Sequence, residues 1–320
     1  MAVEGQPAIA PRTIERTGDD APTKTVWGYI RRMSGWHQAF ACLLAIATSA
    51  VHLVPIELQR RVIDDAISAS NVRLLIILGA AYAGALLLNS VMKFLLRMYQ
   101  SWLSESAIIY TRRHLLSLYA GHVHQDEEAG RVVSIVGQEA DRLGSFVGEG
   151  PSEACASVAL FIGAIGYMAI VQPAIAAVSI GLLVPQILLT PVIQRRLNRL
   201  IEQRLALLRE LGDEIASGEE GHEEPTGRLL VHVYRNRIAF YFWKFFMKVA
   251  LNLLNGLAPL SILIWGGWLA IQGQTTLGVL VAFISAFDRI SSPVRQLITF
   301  YRLANQAAVQ HEMIAKWMRA

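Results

Sequence analysis

Along most of this chain the apolar residues run in unbroken blocks instead of alternating with polar ones. A helix that crosses a membrane needs roughly 17 to 25 mostly apolar residues. Residues 39–56 meet that length, with His52 and Pro55 near the end, and residues 74–92 are broken only by Asn89 and Ser90. Residues 154–171 and 174–193 follow, separated by Gln172 and Pro173, which leave room for a tight turn and nothing larger. Residues 249–271 make a fifth block, interrupted by Asn252 and Asn255 and ending near Trp265 and Trp268, residues that favour the membrane interface. The sixth, residues 277–287, is short, because Asp288 and Arg289 interrupt it. Hydropathy alone leaves that segment open between a span and a re-entrant helix.

Charge decides the sixth. Lys and Arg accumulate in cytoplasmic loops. With six spans and the N-terminus inside, 26 of the 29 Lys and Arg fall on the inner side, and the other three lie in residues 57–73. If the sixth segment did not cross, the five cations that follow it would sit outside. The expected topology is therefore six spans in an inner (plasma) membrane, with both termini cytoplasmic. The fold class is all-α: a polytopic membrane protein whose six transmembrane helices extend into the cytoplasm.

The connections differ in length. The outer ones at residues 172–173 and 272–276 are short, while the inner stretches 93–153 and 194–248 are long and keep a helical pattern. Leu95, Leu96, Tyr99, Leu103, Ile108, Leu115, Leu118 and Tyr119 recur at spacings of three, four and seven, with Arg97, Glu105, Arg112 and Arg113 between them. Two long hairpins on one side suit docking surfaces. Residues 1–23 hold three prolines and scattered charges without periodicity, and they lack the apolar core of a secretory signal. They read as a disordered cytoplasmic tail. Residues 24–36 interleave Val26, Trp27, Tyr29, Ile30 and Met33 with Lys24, Arg31 and Arg32, which predicts a short elbow helix lying in the inner interface.

Three groups of motifs carry a family resemblance. Residues 273–283 read GQTTLGVLVAF, followed by Pro293-Val-Arg-Gln-Leu297 and Ala304-Asn-Gln-Ala-Ala308. The first span contributes Leu53-Val-Pro55 and Arg61-Val-Ile-Asp64-Asp-Ala66, and the first inner hairpin Gly130-Arg-Val-Val-Ser134 and Asp141-Arg-Leu143. In order and spacing these resemble the membrane domain of ABC exporters, over residues 24–320. The resemblance implies twelve helices, six from each of two chains, around one pathway that opens alternately to each side. It also implies inner hairpins whose short coupling helices sit on ATP-binding domains. By position the first coupling helix comprises Asp126, Glu127, Glu128, Ala129 and Gly130, and the second lies past Gly218.

The chain departs from that pattern at three points. No lysine sits in the phosphate-cradling G-x-x-x-x-G-K-[ST] motif; of five lysines only Lys24 precedes Ser or Thr, and Thr23 stands before it. No ATP site is expected in these residues, so ATP and Mg belong to a partner ATP-binding cassette subunit. Residues 218–227 are acidic and rich in Pro and Gly, where members place an apolar segment. Glu312-Met313 stands where the family often has an Arg after the sixth span.

Composition agrees with this reading. Hydrophobic residues make up 53% and charged residues 17%, against about 25% charged in a soluble domain, which excludes an ordinary cytosolic enzyme. Cys42 and Cys155 lie in apolar runs and read as small hydrophobes. The net charge of +4 lacks the interleaved aromatics of a nucleic-acid reader, and topology accounts for it. His122-x-His124 with Asp126 has loose spacing and no second ligand cluster, so the residues read as a solvated hairpin. Glu219, Glu220, Glu223 and Glu224 read as a solvated acidic turn.

One pattern points to a pathway. Asp288, Ser292, Arg295, Thr299, Arg302 and Gln306 fall at steps of four, three, four, three and four, on one helix face. Charged residues at membrane depth usually face a bundle interior or an aqueous cavity. Lys248, Asn252 and Asn255 form a shorter stripe on the fifth span. The expected function is the membrane subunit of an ATP-driven exporter, working as a homo- or heterodimer by alternating access. Two alternatives stand beside it: a motor-free, proton-coupled transporter with Asp288 and Glu57 as carriers, and a truncated full-length exporter. No substrate is legible.

Overall fold

The computed structural model describes residues 25–121, 135–217 and 223–319. The tail, His122 and His124, the coupling segment 126–130, Glu219 and Glu220, and the stretch just past Gly218 all lie outside the described residues. Among the described residues every regular element is helical: α1 Val26–Ser34, α2 Trp36–Arg61, α3 Val72–Gly121, α4 Ala140–Val171, α5 Pro173–Ser217, α6 Glu223–Ile271 and α7 Leu277–Arg319. Six of these stretches, within α2 to α7, are long and apolar enough to cross a membrane. The chain is an all-α, multi-pass membrane protein.

Local chemistry explains the element ends. The Thr25 hydroxyl accepts from the Gly28 amide (3.2 Å) and caps α1. Gly35, at φ +48°, joins α1 to α2 in one residue, in a conformation that glycine adopts without steric cost. Beyond α2 the chain widens into a π-helical turn, Val62–Ile67, where Ser68 N–H donates to Ile63 O (3.1 Å) and Asn71 N–H to Ala66 O (2.9 Å). Asn71 Oδ1 then accepts from the Leu74 amide (3.0 Å) and starts α3. Only Gln172 separates α4 from α5, and Pro173 opens α5 at the position where its missing N–H costs nothing. Gly273, at φ +74°, turns the chain between α6 and α7.

The chain divides into two units, Met1–Tyr167 with Ser292–Ala320, and Met168–Ser291. In the first, α4 lies close on α3 because two glycines let the backbones approach. A Cβ at Gly148 would stand 2.5 Å from Gln100 O and 2.7 Å from Ser104 N, and one at Gly144 would stand 2.3 Å from Ile108 Cγ1. The small-xxx-small spacing of Gly144 and Gly148 is the usual device for such contacts in membranes. Arg112–Asp141 (2.6 Å) and Arg97–Glu153 (3.0 Å) bridge the same two helices. The Cys42 and Cys155 thiols meet between α2 and α4.

One face of the elbow helix is covered by protein. Val26, Ile30 and Met33 are buried in one cluster with Ala107 and Leu115 of α3, Leu143, Phe146 and Val147 of α4, and Ala307 and Ile314 of α7. Spacings of four and three put the three side chains on one face, and protein covers that face in place of lipid. Tyr29 bonds to Thr111 of α3, whose own hydroxyl donates to Ala107 O (2.7 Å), so the tyrosine is the donor. Burial raises the Tyr29 phenol above its ordinary pKa, which keeps that donor proton in place.

The second unit is built on the antiparallel α5–α6 hairpin. Gln186 Nε2 donates to Asn255 Oδ1 (3.2 Å), and Asn236 Nδ2 to Gln203 Oε1 (3.5 Å). These two bonds fix the hairpin register.

Candidate functional site

Within the first unit, α4 and α7 enclose a cavity of about 750 Å³. From α4 it is lined by Asp141, Arg142, Ser145, Phe146, Glu149, Gly150 and Glu153. From α7 it is lined by Ser292, Arg295, Gln296, Thr299, Phe300, Leu303, Gln306 and Gln310. The helical repeat explains the second set, since steps of three and four keep a row of side chains on one face. Phe146 and Phe300 stack across it, with ring centroids 5.7 Å apart and planes at 24°. The stack gives an otherwise polar wall an apolar patch.

The electrostatics of the wall are mixed. Asp141 and Glu153 each face an arginine of α3, Arg112 and Arg97, so two of the three carboxylates are already compensated. Arg112 also donates to Gly137 O (3.1 Å), which steadies the pair. Glu149, Arg142 and Arg295 make no ion pair among the described residues, and all three are exposed. The wall therefore presents both signs of charge, amides and three hydroxyls around an aromatic pair.

Proline interrupts both walls. Pro151 lies inside α4 and Pro293 inside α7. Each removes one amide from its helix ladder, which is where bends concentrate. Ser157 Oγ of α4 donates to Gln296 Oε1 of α7 (2.9 Å) beside that point.

Of the residues singled out from the sequence, Ser292, Arg295, Thr299 and Gln306 share this lining. Arg302 and Asp288 do not. At about 100° per residue Arg302 falls some 80° from Ser292, at the margin of the face. Asp288 is exposed in the second unit, where Asn252 is also exposed and Asn255 accepts the bond from Gln186. Sequence reasoning missed Gln296, Phe300, Leu303 and Gln310, although the same three-and-four spacing continues through them. It also missed the α4 wall, where the only signal was Gly144-x-x-x-Gly148.

Glu57 is bound to other groups. Its carboxylate accepts from Arg60 Nη2 (2.6 Å) and Nε (2.9 Å), from Arg61 Nε (2.8 Å) and from the Tyr167 hydroxyl (3.0 Å). Four donors hold the carboxylate in place.

Comparison with known proteins bears on what this architecture is. The family described as ABC transporter transmembrane region matches residues 39–212, more than half of the chain. The chain belongs to that family. It is also similar to the putative multidrug export ATP-binding/permease protein YgaD of Bacillus subtilis (strain 168), at 22% identity over 303 residues. That alignment covers 86% of this chain and 51% of the relative, so the chain spans about half the length of the curated relative it matches. Within the ABC membrane region the match ends at Gly212, inside α5, and takes in the whole α3–α4 hairpin and the α4 wall of the cavity. The α7 wall lies outside the matched segment.

Proposed function

We propose that this chain is the membrane-spanning part of an ABC exporter-type transporter and moves its substrate by alternating access. The observation that carries the reading is the polar face of α7, four of whose residues named from periodicity line one cavity with α4. The ABC family assignment and the printed name of the Bacillus relative support the exporter class. The chain's 320 residues contain no phosphate-cradling lysine motif, so ATP and Mg would be held by an ATP-binding cassette that acts on this membrane region. Two copies, or this chain and a related one, would complete the pathway. Both termini would lie on the cytoplasmic face of the plasma membrane, a reading that the basic ends of the spans support under the positive-inside rule. Asp126, Glu127, Glu128, Ala129 and Gly130 would form the contact with the ATP-binding partner. Pro151 and Pro293 supply the places where α4 and α7 bend as the cavity changes sides.

In the proton-coupled alternative Glu57 would have to release some of its four donors to carry a proton. Cysteine scanning tests the main reading. In a background with Cys42 and Cys155 replaced, single cysteines at 292, 295, 299 and 306 are expected to react with a water-soluble maleimide. Cysteines at Phe287 and Ile290, both fully buried, are expected to resist it. Addition of the ATP-binding partner with nucleotide should change the first set at least about tenfold, the loss expected when water leaves a closing site. Equal labelling of both sets would overturn the assignment of the pathway, and nucleotide-independent labelling would overturn alternating access.

A further inference from the structure

The α5–α6 hairpin carries a second feature, remote in character from the transport cavity. No Asp or Glu occurs in residues 154–201 or 225–287. Five of the eight cations in these stretches, Arg195, Arg196, Arg199, Lys244 and Lys248, lie near one level. The bonds from Gln186 to Asn255 and from Asn236 to Gln203 set Arg195–Arg199 of α5 beside Phe240–Phe246 of α6. Arg195, Arg196, Arg199, Lys244 and Lys248 are all exposed there, and none makes an ion pair among the described residues. The Arg237 guanidinium lies 4.8 Å from the Tyr241 ring centre and 5.8 Å from that of Phe240.

Aromatic residues occupy the same level. Phe242 is 62% exposed, Phe245 55% and Phe246 46%, a costly arrangement in water. The twenty residues from Lys248 to Trp268 rise about 30 Å, the thickness of a hydrocarbon core. Trp265 and Trp268, in contact with ring centres 5.4 Å apart, mark the far end of that distance. The cations and the Phe240–Phe246 run therefore sit just outside the hydrocarbon, at the depth of the lipid phosphates.

We propose that this level of the hairpin is a binding site for anionic phospholipid headgroups. The phosphate and a second acidic or hydroxylated group would be held by Arg195, Arg196 and Arg199 of α5 with Lys244 and Lys248 of α6. The exposed phenylalanines pack against the glycerol and ester region of the same lipids. Two features select lipid over a free anion: the site lies at the membrane surface, and half of it is apolar. An uncompensated cationic ring of this kind is what anionic membranes attract.

The test uses the full chain in phosphatidylcholine vesicles and measures the protein-immobilised fraction of spin-labelled phosphatidylglycerol against spin-labelled phosphatidylcholine. The chain is expected to prefer phosphatidylglycerol by roughly threefold or more at physiological salt. R195Q/R196Q and, separately, K244Q/K248Q should each bring the ratio close to one, with the immobilised phosphatidylcholine fraction unchanged as the sign of an intact fold. R209Q/R228Q removes the same charge well inward of the membrane surface and should leave the preference in place. No preference in the unaltered chain would overturn the site, and an equal loss in R209Q/R228Q would reduce the effect to net charge. Loss of the preference to excess inorganic phosphate at constant ionic strength would show that the ligand is a free anion. If R195Q/R196Q altered only the proportion of dimer, the face would be a contact between copies and the proposal would fail.

Discussion

The α3–α4 pair and the α5–α6 hairpin are both antiparallel, long and apolar, yet different contacts hold them. α4 meets α3 at backbone distance through Gly144 and Gly148, and two arginine–carboxylate pairs flank that contact. The core under α1 then closes over one end. α5 and α6 are bonded by two amide pairs, and a Cβ added at Gly181 or Gly256 would meet nothing within 4 Å. Apolar side chains gain little from each other in a lipid solvent, so close backbone approach and hydrogen bonds do the work of association. The first pair has both at Gly144 and Gly148; in the second, a Cβ at Gly266 would stand 3.1 Å from a side-chain atom, Ile175 Cδ1, and not from backbone, and its aromatic face is left open.

The sharpest way to break this comparison is to fill the glycines. Gly148→Val would force a methyl-bearing carbon into Gln100 O and Ser104, so α4 must move or the fold weakens by roughly 1–3 kcal/mol. Gly256→Val on α6 is expected to leave the thermal midpoint of the detergent-solubilised chain unchanged or slightly raised. Similar losses at both positions would remove the contrast.

A smaller effect is expected at the elbow. Tyr29→Phe deletes the donor to Thr111 while the ring stays in place, at a cost of about 1 kcal/mol. Because the Tyr29 pKa is raised, the deficit should be constant from mildly acidic to mildly alkaline pH. A deficit that disappeared as pH rose would mean that the phenol ionises and the reading of its environment is wrong. The smallest effect belongs to the hairpin: Gln186→Leu removes one membrane-embedded amide bond, worth about 0.6 kcal/mol on average. A loss of several times that value would show that α5 and α6 depend on the bond as heavily as α3 and α4 depend on their glycines.

Hydropathy was sufficient for five helices, because an apolar block of span length has few other uses. The sixth was ambiguous for a physical reason. Its best window has the lowest mean hydropathy of the six, 1.4, and the largest buried share, 53%. A helix covered by protein does not need the lipid-facing residues that a hydropathy plot detects. Periodicity along α7 identified which residues share a face, and four of the six stripe residues line the cavity. What covers a face depends on residues distant in sequence. That Leu143, Phe146 and Ala307 cover the apolar side of α1 is therefore not written in residues 24–36. Gly144 and Gly148 carried a readable spacing, but nothing local indicates that Ile108 and Ser104 are their respective neighbours.

The Trp pair and the cationic level on α6 also make that helix a gauge of bilayer thickness. Membrane helices tilt by about 20° on average, and at that angle its rise of about 30 Å projects to about 28 Å. The helix then fits a membrane slightly thinner than average. In a thicker one it must stand upright or draw the lipids inward around it, each at a fraction of a kcal/mol per ångström of mismatch. α5 is bonded to α6 at two levels and would be carried through the same rotation. Acyl chain length thus becomes a mechanical input to this hairpin, acting through its angle and without any ligand.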